Sequence, residues 1–325
     1  MSLRIDHLSV TYGTTQAIYD LALGVENGER FAIMGSSGSG KSSLLRSIAG
    51  LIPIDSGSIT IDGSDMTATP AHRRPVGLMF QDYALFPHMT VAENIGYGLR
   101  MEGMPSKARD IRSRELLSLV GLDGFAGRKP STLSGGEQQR VALARTLAPE
   151  PSMVLLDEPL GSLDISLRES LLAETREILD SVKATSMYVT HDRGEAFSFC
   201  DRMAIMHQGR LLRVGTPDEI WREPRSEFVA RAIGQTNLIP MDFISHGESG
   251  LGFVPRDAIR VHRHGRHTGT VVASRFEDGA HVATVGFRND TEELEMAIAS
   301  KADPGSQLDF DIDADRVIHV SADKV

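Results

Sequence analysis

Glu29-Arg-Phe-Ala-Ile-Met34 runs directly into Gly35-Ser-Ser-Gly-Ser-Gly-Lys-Ser-Ser43, after which Leu44, Leu45, Ile48 and Leu51 recur at helical spacing. A short apolar strand, a loop of small residues and an amphipathic helix, in that order, decide the fold. The loop fits the pattern of a glycine, any four residues, then Gly-Lys-Ser/Thr. Its glycines let backbone N–H groups turn inward around an anion, and the following helix adds its positive end, so the segment reads as a cradle for phosphate oxygens. In such a loop Lys41 reaches the β- and γ-phosphates and the Ser42 hydroxyl is a ligand for Mg2+.

Working outward, Met153-Val-Leu-Leu156 is a continuous apolar run that stops at Asp157-Glu158. It reads as a buried parallel strand delivering two carboxylates to the crevice where ligands bind. Asp157 is expected to hold Mg2+ and Glu158 to polarise an attacking water. Val76–Phe80, Met187–Thr190 and Met203–Met206 are further strand candidates. Lys107–Val120 reads as an amphipathic helix, and Leu167, Leu171, Ile178 and Val182 as the apolar face of another. Ile59 and Ile61 lead into Asp62-Gly63, a hairpin-turn signal. Strands alternating with helices predict an α/β fold around a largely parallel sheet.

The chain has 325 residues, 41% hydrophobic and 24% charged, which are the proportions of a globular protein and not of a disordered or fibrous one. At about 150 residues per domain this length suggests two. Its single cysteine, Cys200, excludes an internal disulfide and a multi-cysteine zinc site and fits a reducing compartment. Met1–Asp6 lacks the charged start and apolar stretch of a signal peptide, and no apolar run approaches the ~18 residues needed to span a bilayer. A membrane role is therefore expected to come through a partner. The net charge of −10 argues against general binding to nucleic acid. Residues 240–325 hold 15 acids and 9 bases, or −6, which leaves −4 for the rest. That shift, with Pro217, Pro224 and the region around Gly234–Pro240, predicts domains at 1–237 and 238–325. Thr270–Ala273, His281–Val285 and Leu308–Val320 suggest strands of a small β-barrel in the second. There, the histidines of His262-Arg-His-Gly-Arg-His267 are interleaved with cations that oppose a metal, and the acids Asp309, Asp311 and Asp313 alternate with Leu308, Phe310 and Ile312 as in a half-buried strand.

Leu133-Ser134-Gly135-Gly136-Glu137-Gln-Gln-Arg140 resembles the signature motif of ABC-transporter ATPases. Gln81, Pro159, Ser162-Leu-Asp164 and His191 stand in the order of that family's glutamine loop, acidic-strand proline, D-loop and switch histidine, and the resemblance covers residues 1 to about 235. It implies a P-loop NTPase domain of ABC type, with a mixed sheet and a helical signature subdomain. ATP would lie on Tyr12, stacked on adenine, on Gly35, Ser36, Ser37, Gly38, Ser39, Gly40, Lys41, Ser42 and Ser43, and on Gln81. Ser42, Gln81 and Asp157 would surround Mg2+, and Glu158, His191 and Lys41 would carry the hydrolysis. Ser134, Gly135, Gly136 and Glu137 form a second helix-N-terminal anion site. In the family such a site meets the ATP of the opposite subunit across an isologous homodimer interface. Glu137 stands where the family often has glutamine.

Gln81-Asp-Tyr-Ala-Leu-Phe-Pro-His-Met-Thr-Val-Ala-Glu-Asn94 resembles the segment of importer ATPases that receives the permease's coupling helix, so Tyr83, Leu85, Phe86 and Met89 are expected as apolar surface. Phe253-Val-Pro-Arg256-Asp257 resembles the opening of the oligonucleotide-binding-like (TOBE) regulatory domain of those importers, with Pro and Arg in the reverse of the usual order. The implied protein is an ATP-hydrolysing importer subunit, peripheral on the cytoplasmic face of the cell membrane. It would be bound to transmembrane permease subunits fed by an extracytoplasmic solute-binding protein, with no nucleic-acid partner. The solute would be ferric iron or thiamine; a polyamine, a sugar or an oxyanion, or a soluble non-transport ABC ATPase, are the alternatives.

Overall fold

The computed structural model describes residues 1–161, 165–244, 249–277, 279–287 and 292–320, with Ile165 and Ser166 as backbone only. The D-loop residue Asp164 lies outside the described residues. The chain forms two compact units, Met1–Pro217 and Asp218–Val325.

The first unit runs β1 (Leu3–Tyr12), β2 (Thr15–Val25), β3 (Arg30–Met34), α1 (Lys41–Ile48), β4 (Ser56–Ile61), β5 (Ser64–Asp65), β6 (Val76–Met79), α2 (Val91–Ile95), α3 (Tyr97–Met101), α4 (Ser106–Leu119), α5 (Gly135–Leu147), β7 (Met153–Asp157), α6 (Ile165–Ser181), β8 (Thr185–Thr190), α7 (Arg193–Phe199), β9 (Arg202–His207) and β10 (Arg210–Gly215). One sheet has the order β10-β9-β3-β8-β7-β6. Its strands β6, β7, β8, β3 and β9 are parallel, and only β10 is antiparallel. A second, antiparallel sheet has the order β2-β1-β4-β5. The mixed sheet and the α/β class agree with the reading of the sequence.

Two cores divide the apolar residues. Leu3, Ile5, Ile18, Phe31, Ile33, Leu44 and Leu45 pack between the antiparallel sheet, α1 and one face of the parallel sheet. Val91, Ile95, Leu116, Val141, Leu156 and Tyr188 belong to the other, with helices α2, α4, α5 and α6. Because β7 and β8 are covered on both faces, they are buried at every position, which is why Met153–Leu156 shows no polar alternation. Asp62 and Gly63 both have positive φ, 46° and 77°, the backbone of a type I′ hairpin turn, and they join β4 to β5.

Helical faces were read less well. In α6 the buried stripe is Leu171, Leu172, Thr175 and Leu179, while Leu167 is 43% exposed and Val182 44%. Gly136 explains the rotation: a Cβ there would lie 3.3 Å from the Leu171 side chain, so α5 settles directly on Leu171. Leu51 and Ile111, expected on apolar faces, are also exposed.

The second unit contains α8 (Pro217–Arg222), α9 (Glu227–Ala232), β11 (Leu238–Pro240), α10 (Met241–Ile244), β12 (Leu251–Phe253), β13 (Ile259–Val261), β14 (His267–Glu277), β15 (Ala280–Phe287), β16 (Glu292–Ile298), β17 (Gln307–Ile312) and β18 (Ile318–Val320). Two antiparallel sheets, β11-β12-β18 and β13-β17-β14-β15-β16, make it barrel-like. Leu308–Val320 is therefore two strands in different sheets, divided by a helical turn at Ala314–Arg316. The compact units meet at Pro217/Asp218. The reason lies in packing: Ala230 of α9 shares a small core with Leu238, Phe253 and Val320.

Asp309 and Asp311 hold the histidine-rich loop. Asp309 accepts from the His264 N–H and the Thr268 hydroxyl, and Asp311 from the Arg266 N–H and from His262, whose Nε2 is 2.7 Å away. The His267 ring lies against Phe243 at 4.4 Å. Arg256 is paired with Glu277 and Glu295. Phe310 is a fully buried member of the unit's core, with its ring beside that of His267. Phe310→Ala is expected to cost about 3–5 kcal/mol of the second unit's stability, measurable as a lowered midpoint of its transition in denaturant.

Candidate functional site

Strands β3, β8 and β7 are parallel neighbours ending at Met34, Thr190 and Asp157. The segments leaving their carboxyl ends, Gly35–Gly40, His191-Asp192 and Glu158-Pro159, therefore lie at one edge of the sheet, where ligands bind in open parallel sheets. The register explains why residues so distant in sequence meet.

The loop is built for close backbone approach. Gly40, the residue before α1, has φ 103°, and a Cβ there would fall 2.5 Å from the Ala17 carbonyl. At Gly35 a Cβ would fall 2.3 Å from the Met206 carbonyl. Ser36, Ser37 and Gly38 are exposed on the rim, while Ser39 is buried and Ser43 half-buried. Lys41, at the first position of α1, is only 4% exposed, and its ammonium donates to the carbonyls of Gly35 at 2.8 Å and Ser36 at 3.0 Å.

Four further side chains complete the cluster. Ser42 donates to Asp157 Oδ1 at 2.8 Å. Lys41 Nζ stands 3.9 Å from Glu158 Oε1, and His191 Nδ1 is 3.2 Å from Glu158 Oε2. Burial lowers the Lys41 pKa despite the pull of Glu158 and Asp157. Asp157 is 7% exposed, and burial raises its pKa above the usual carboxylate value, against the Ser42 hydrogen bond. Glu158 sits in the left-handed region at φ 46°, a conformation that side chains adopt at a cost and that recurs at functional sites. It is held there by its N–H bond to Val189 O.

Other expected residues fall into two groups. Gln81 is exposed and lies beside Gly161, where a Cβ would be 3.1 Å from its Nε2 and 3.3 Å from Glu158 O. Among the described residues it makes no hydrogen bond to Ser42 or Asp157. Tyr12 is exposed at the turn of the β1–β2 hairpin, and β2 supplies the Ala17 carbonyl that backs the phosphate loop. Ser134 caps α5: its Oγ accepts from the Glu137 N–H, and Glu137 Oε2 accepts from the Ser134 N–H at 2.7 Å. That N–H pulls the Glu137 carboxyl below the usual range. The Ser134 hydroxyl hydrogen is left to donate outward. Among the described residues no hydrogen bond or ion pair joins Ser134, Gly135, Gly136 or Glu137 to the Lys41 cluster.

Tyr83 departs from the expectation of apolar surface. It is buried, and its hydroxyl donates to the Pro159 carbonyl at 3.2 Å. Tyr83 and Ala84 both have positive φ, and Arg145 of α5 donates to both their carbonyls, at 2.6 and 2.7 Å. This half-buried guanidinium ties the signature helix to the Gln81 turn. Leu85, Phe86 and Met89 remain half-buried. Sequence reasoning missed Arg145: a lone cation in an amphipathic helix carries no signal of the two carbonyls it meets.

A glycine-rich loop with its lysine, a hydroxyl against a strand-end aspartate, and a glutamate against a histidine define a P-loop nucleotide-hydrolase fold and site. Residues 18–161 match the ABC transporter family. The chain is 43% identical to the Fe(3+) ions import ATP-binding protein FbpC of Streptomyces coelicolor over 97% of this chain and 96% of that protein. It is 46% identical to the sulfate/thiosulfate import ATP-binding protein CysA of Halalkalibacterium halodurans, over 79% and 71%. It is 44% identical to the putrescine transport ATP-binding protein PotG of Escherichia coli, over 77% and 66%. A dimeric ATP-binding cassette solved in a post-hydrolysis state with ADP and Pi superposes with a TM-score of 0.59 at 30% identity, over 66% of this chain and 98% of that one. The chain belongs to the ABC-transporter family and is one of its ATPases.

Asp157 carries a stability signature. A carboxyl whose folded pKa is raised stabilises the fold most below its unfolded value, and that contribution is lost as pH rises through the folded value. At neutral pH the ionised, buried group is a burden. Asp157→Asn should therefore raise the melting temperature of the Mg-free protein at pH 7, by roughly 1–3 °C, and the gain should vanish near pH 4.

Proposed function

We propose that this chain is the ATP-hydrolysing subunit of an ABC importer, with ferric iron as solute. The observation that carries the catalytic part is the convergence of Lys41, Ser42, Asp157, Glu158 and His191 at one sheet edge. Ferric iron is favoured over sulfate or putrescine because the similarity to the iron protein runs through the second unit, covering 97% of this chain. In this reading the first unit is the engine, and the second a small regulatory domain.

The triphosphate lies along the loop Gly35–Ser43, whose N–H groups and Lys41 balance its charge. Tyr12 stacks on the adenine. The Ser42 hydroxyl and the Asp157 carboxylate would hold Mg2+, with Gln81 at its outer side. The donor set fits: these are hard oxygens, and the desolvated Asp157 charge beside Ser42 calls for a cation. The ion, when bound, neutralises charge on the β- and γ-phosphates. Glu158 accepts the proton of the attacking water as its oxygen bonds to the γ-phosphorus. The bond to the β-phosphate oxygen breaks, leaving ADP and inorganic phosphate. With both ring nitrogens protonated, His191 donates from Nδ1 to Glu158 and has Nε2–H left to donate to a γ-phosphate oxygen.

The second anion site completes the machine. Ser134 and the first N–H groups of α5 meet the γ-phosphate held by a second copy of the chain, so two ATPs are buried in a homodimer. Closing and reopening of that dimer drive transmembrane permease subunits at the cytoplasmic face of the membrane, which receive solute from an extracytoplasmic binding protein. The half-buried Leu85, Phe86 and Met89 are the permease-facing patch. No helix among the described residues is long and apolar enough to cross a membrane.

Glu158→Gln should lower turnover at least ~100-fold while keeping ATP binding. With Mg-ATP, light scattering should then show twice the monomer mass, and adding Ser134→Arg should abolish that dimer. A mass indifferent to ATP would contradict the shared site.

A further inference from the structure

The residues on either side of His191 are tied to one buried carboxylate. Thr190 ends β8, and its hydroxyl donates to Glu195 Oε2 at 2.5 Å while accepting from the Asp192 N–H at 2.9 Å. Asp192 closes the ring, its Oδ1 accepting from the Glu195 N–H at 3.0 Å. The Tyr188 hydroxyl, from two residues earlier in the strand, donates to the same Glu195 oxygen at 3.1 Å. All of Tyr188, Thr190 and Glu195 are buried. His191 alone points away from this ring, with its side chain 56% exposed and its Nδ1 on Glu158.

The chain contains its own control for what a glutamate in this position ordinarily does. Glu195 is the third residue of α7, counted from the cap Asp192, as Glu93 is in α2 and Glu137 in α5. Glu93 and Glu137 reach back to the N–H of their cap residues, at 2.6 and 2.7 Å, forming capping boxes. Glu195 does not. It turns toward the sheet and takes two hydroxyls from β8, and the cap N–H of Asp192 passes to Thr190 instead. Burying a carboxylate here in preference to the exposed box costs desolvation that its two hydroxyl donors must offset. Capping α7 does not require that arrangement, whereas fixing the backbone between Thr190 and Asp192 does.

We propose that Glu195 and Thr190 are positioning residues for hydrolysis, holding the turn so that the His191 ring stays against Glu158. The proposal rests on the reading above in which His191 and Glu158 act at the γ-phosphate. Misplacement of a catalytic side chain by about 1 Å is enough to cost on the order of a hundredfold in rate, so loss of the ring should act on turnover and not on nucleotide affinity.

The test compares the full-length chain with Thr190→Val, which keeps the side chain's shape and removes its hydroxyl. Phosphate release from radiolabelled Mg-ATP gives kcat, and trinitrophenyl-ATP fluorescence gives the dissociation constant. Thr190→Val should lower kcat tenfold or more, leave the dissociation constant within about twofold, and be rescued by Thr190→Ser. Tyr188→Phe, which removes one donor and keeps the packed ring, should lower kcat by a smaller factor and serves if Thr190→Val fails to fold. In a His191→Ala background neither change should reduce the residual rate further. Wild-type kcat in both variants overturns the proposal, as does an equal loss in the presence and absence of His191. If His191→Ala itself turns over like wild type, the role given to His191 fails first, and the positioning role falls with it.

Discussion

Burying an ammonium and a carboxylate at one end of a parallel sheet, with a second carboxylate half-buried beside them, is the constraint from which the rest of the first unit follows. Neither Lys41 nor Asp157 is stable there alone, since an unpaired charge out of water is costly. Partners come from the loop and the start of α1: the backbone carbonyls of Gly35 and Ser36 for Lys41, and the Ser42 side-chain hydroxyl for Asp157. The compensation is incomplete, because burial still moves Lys41 and Asp157 toward their neutral forms. In the proposed function, a polyphosphate and its divalent cation would supply the countercharges both groups lack, and the residual cost of the ligand-free site would become affinity on binding.

Around that cluster the fold acts mainly by holding backbone in place. Glu158 keeps a left-handed conformation, the Tyr83–Ala84 turn keeps two more, and each is held by a hydrogen bond from elsewhere in the unit. Arg145 and Tyr83 link the helix that begins at Ser134 to the carbonyl that follows Glu158. The candidate anion site, the Gln81 turn and the Glu158–Pro159 segment thus share one packed path.

Much of this was legible in the sequence. Gly35–Ser43 after a strand, the run Met153–Leu156 ending in acids, and His191 after Met187–Thr190 each combine a local pattern with a strand end, and strand ends determine where side chains meet. Contacts that depend on packing were not legible. Tyr83 looks like surface because its neighbours do, and only the close seat of α5 reveals that it is core. The α6 stripe is turned by Gly136, a glycine whose effect on a helix far along the chain has no local signature. Glu195 reads as an ordinary capping residue, since Asp-x-x-Glu is the same pattern in which Glu93 and Glu137 serve.

The central claim is that the buried charges at the ends of β3 and β7 are the seat of the nucleotide's phosphates. Calorimetric titration of Mg-ATP into wild-type protein and Lys41→Ala, with circular dichroism confirming that both are folded, tests it most directly. The account predicts saturable binding by wild type that depends on Mg2+ and is weakened at least tenfold in Lys41→Ala. Equal affinity in the two proteins would contradict it.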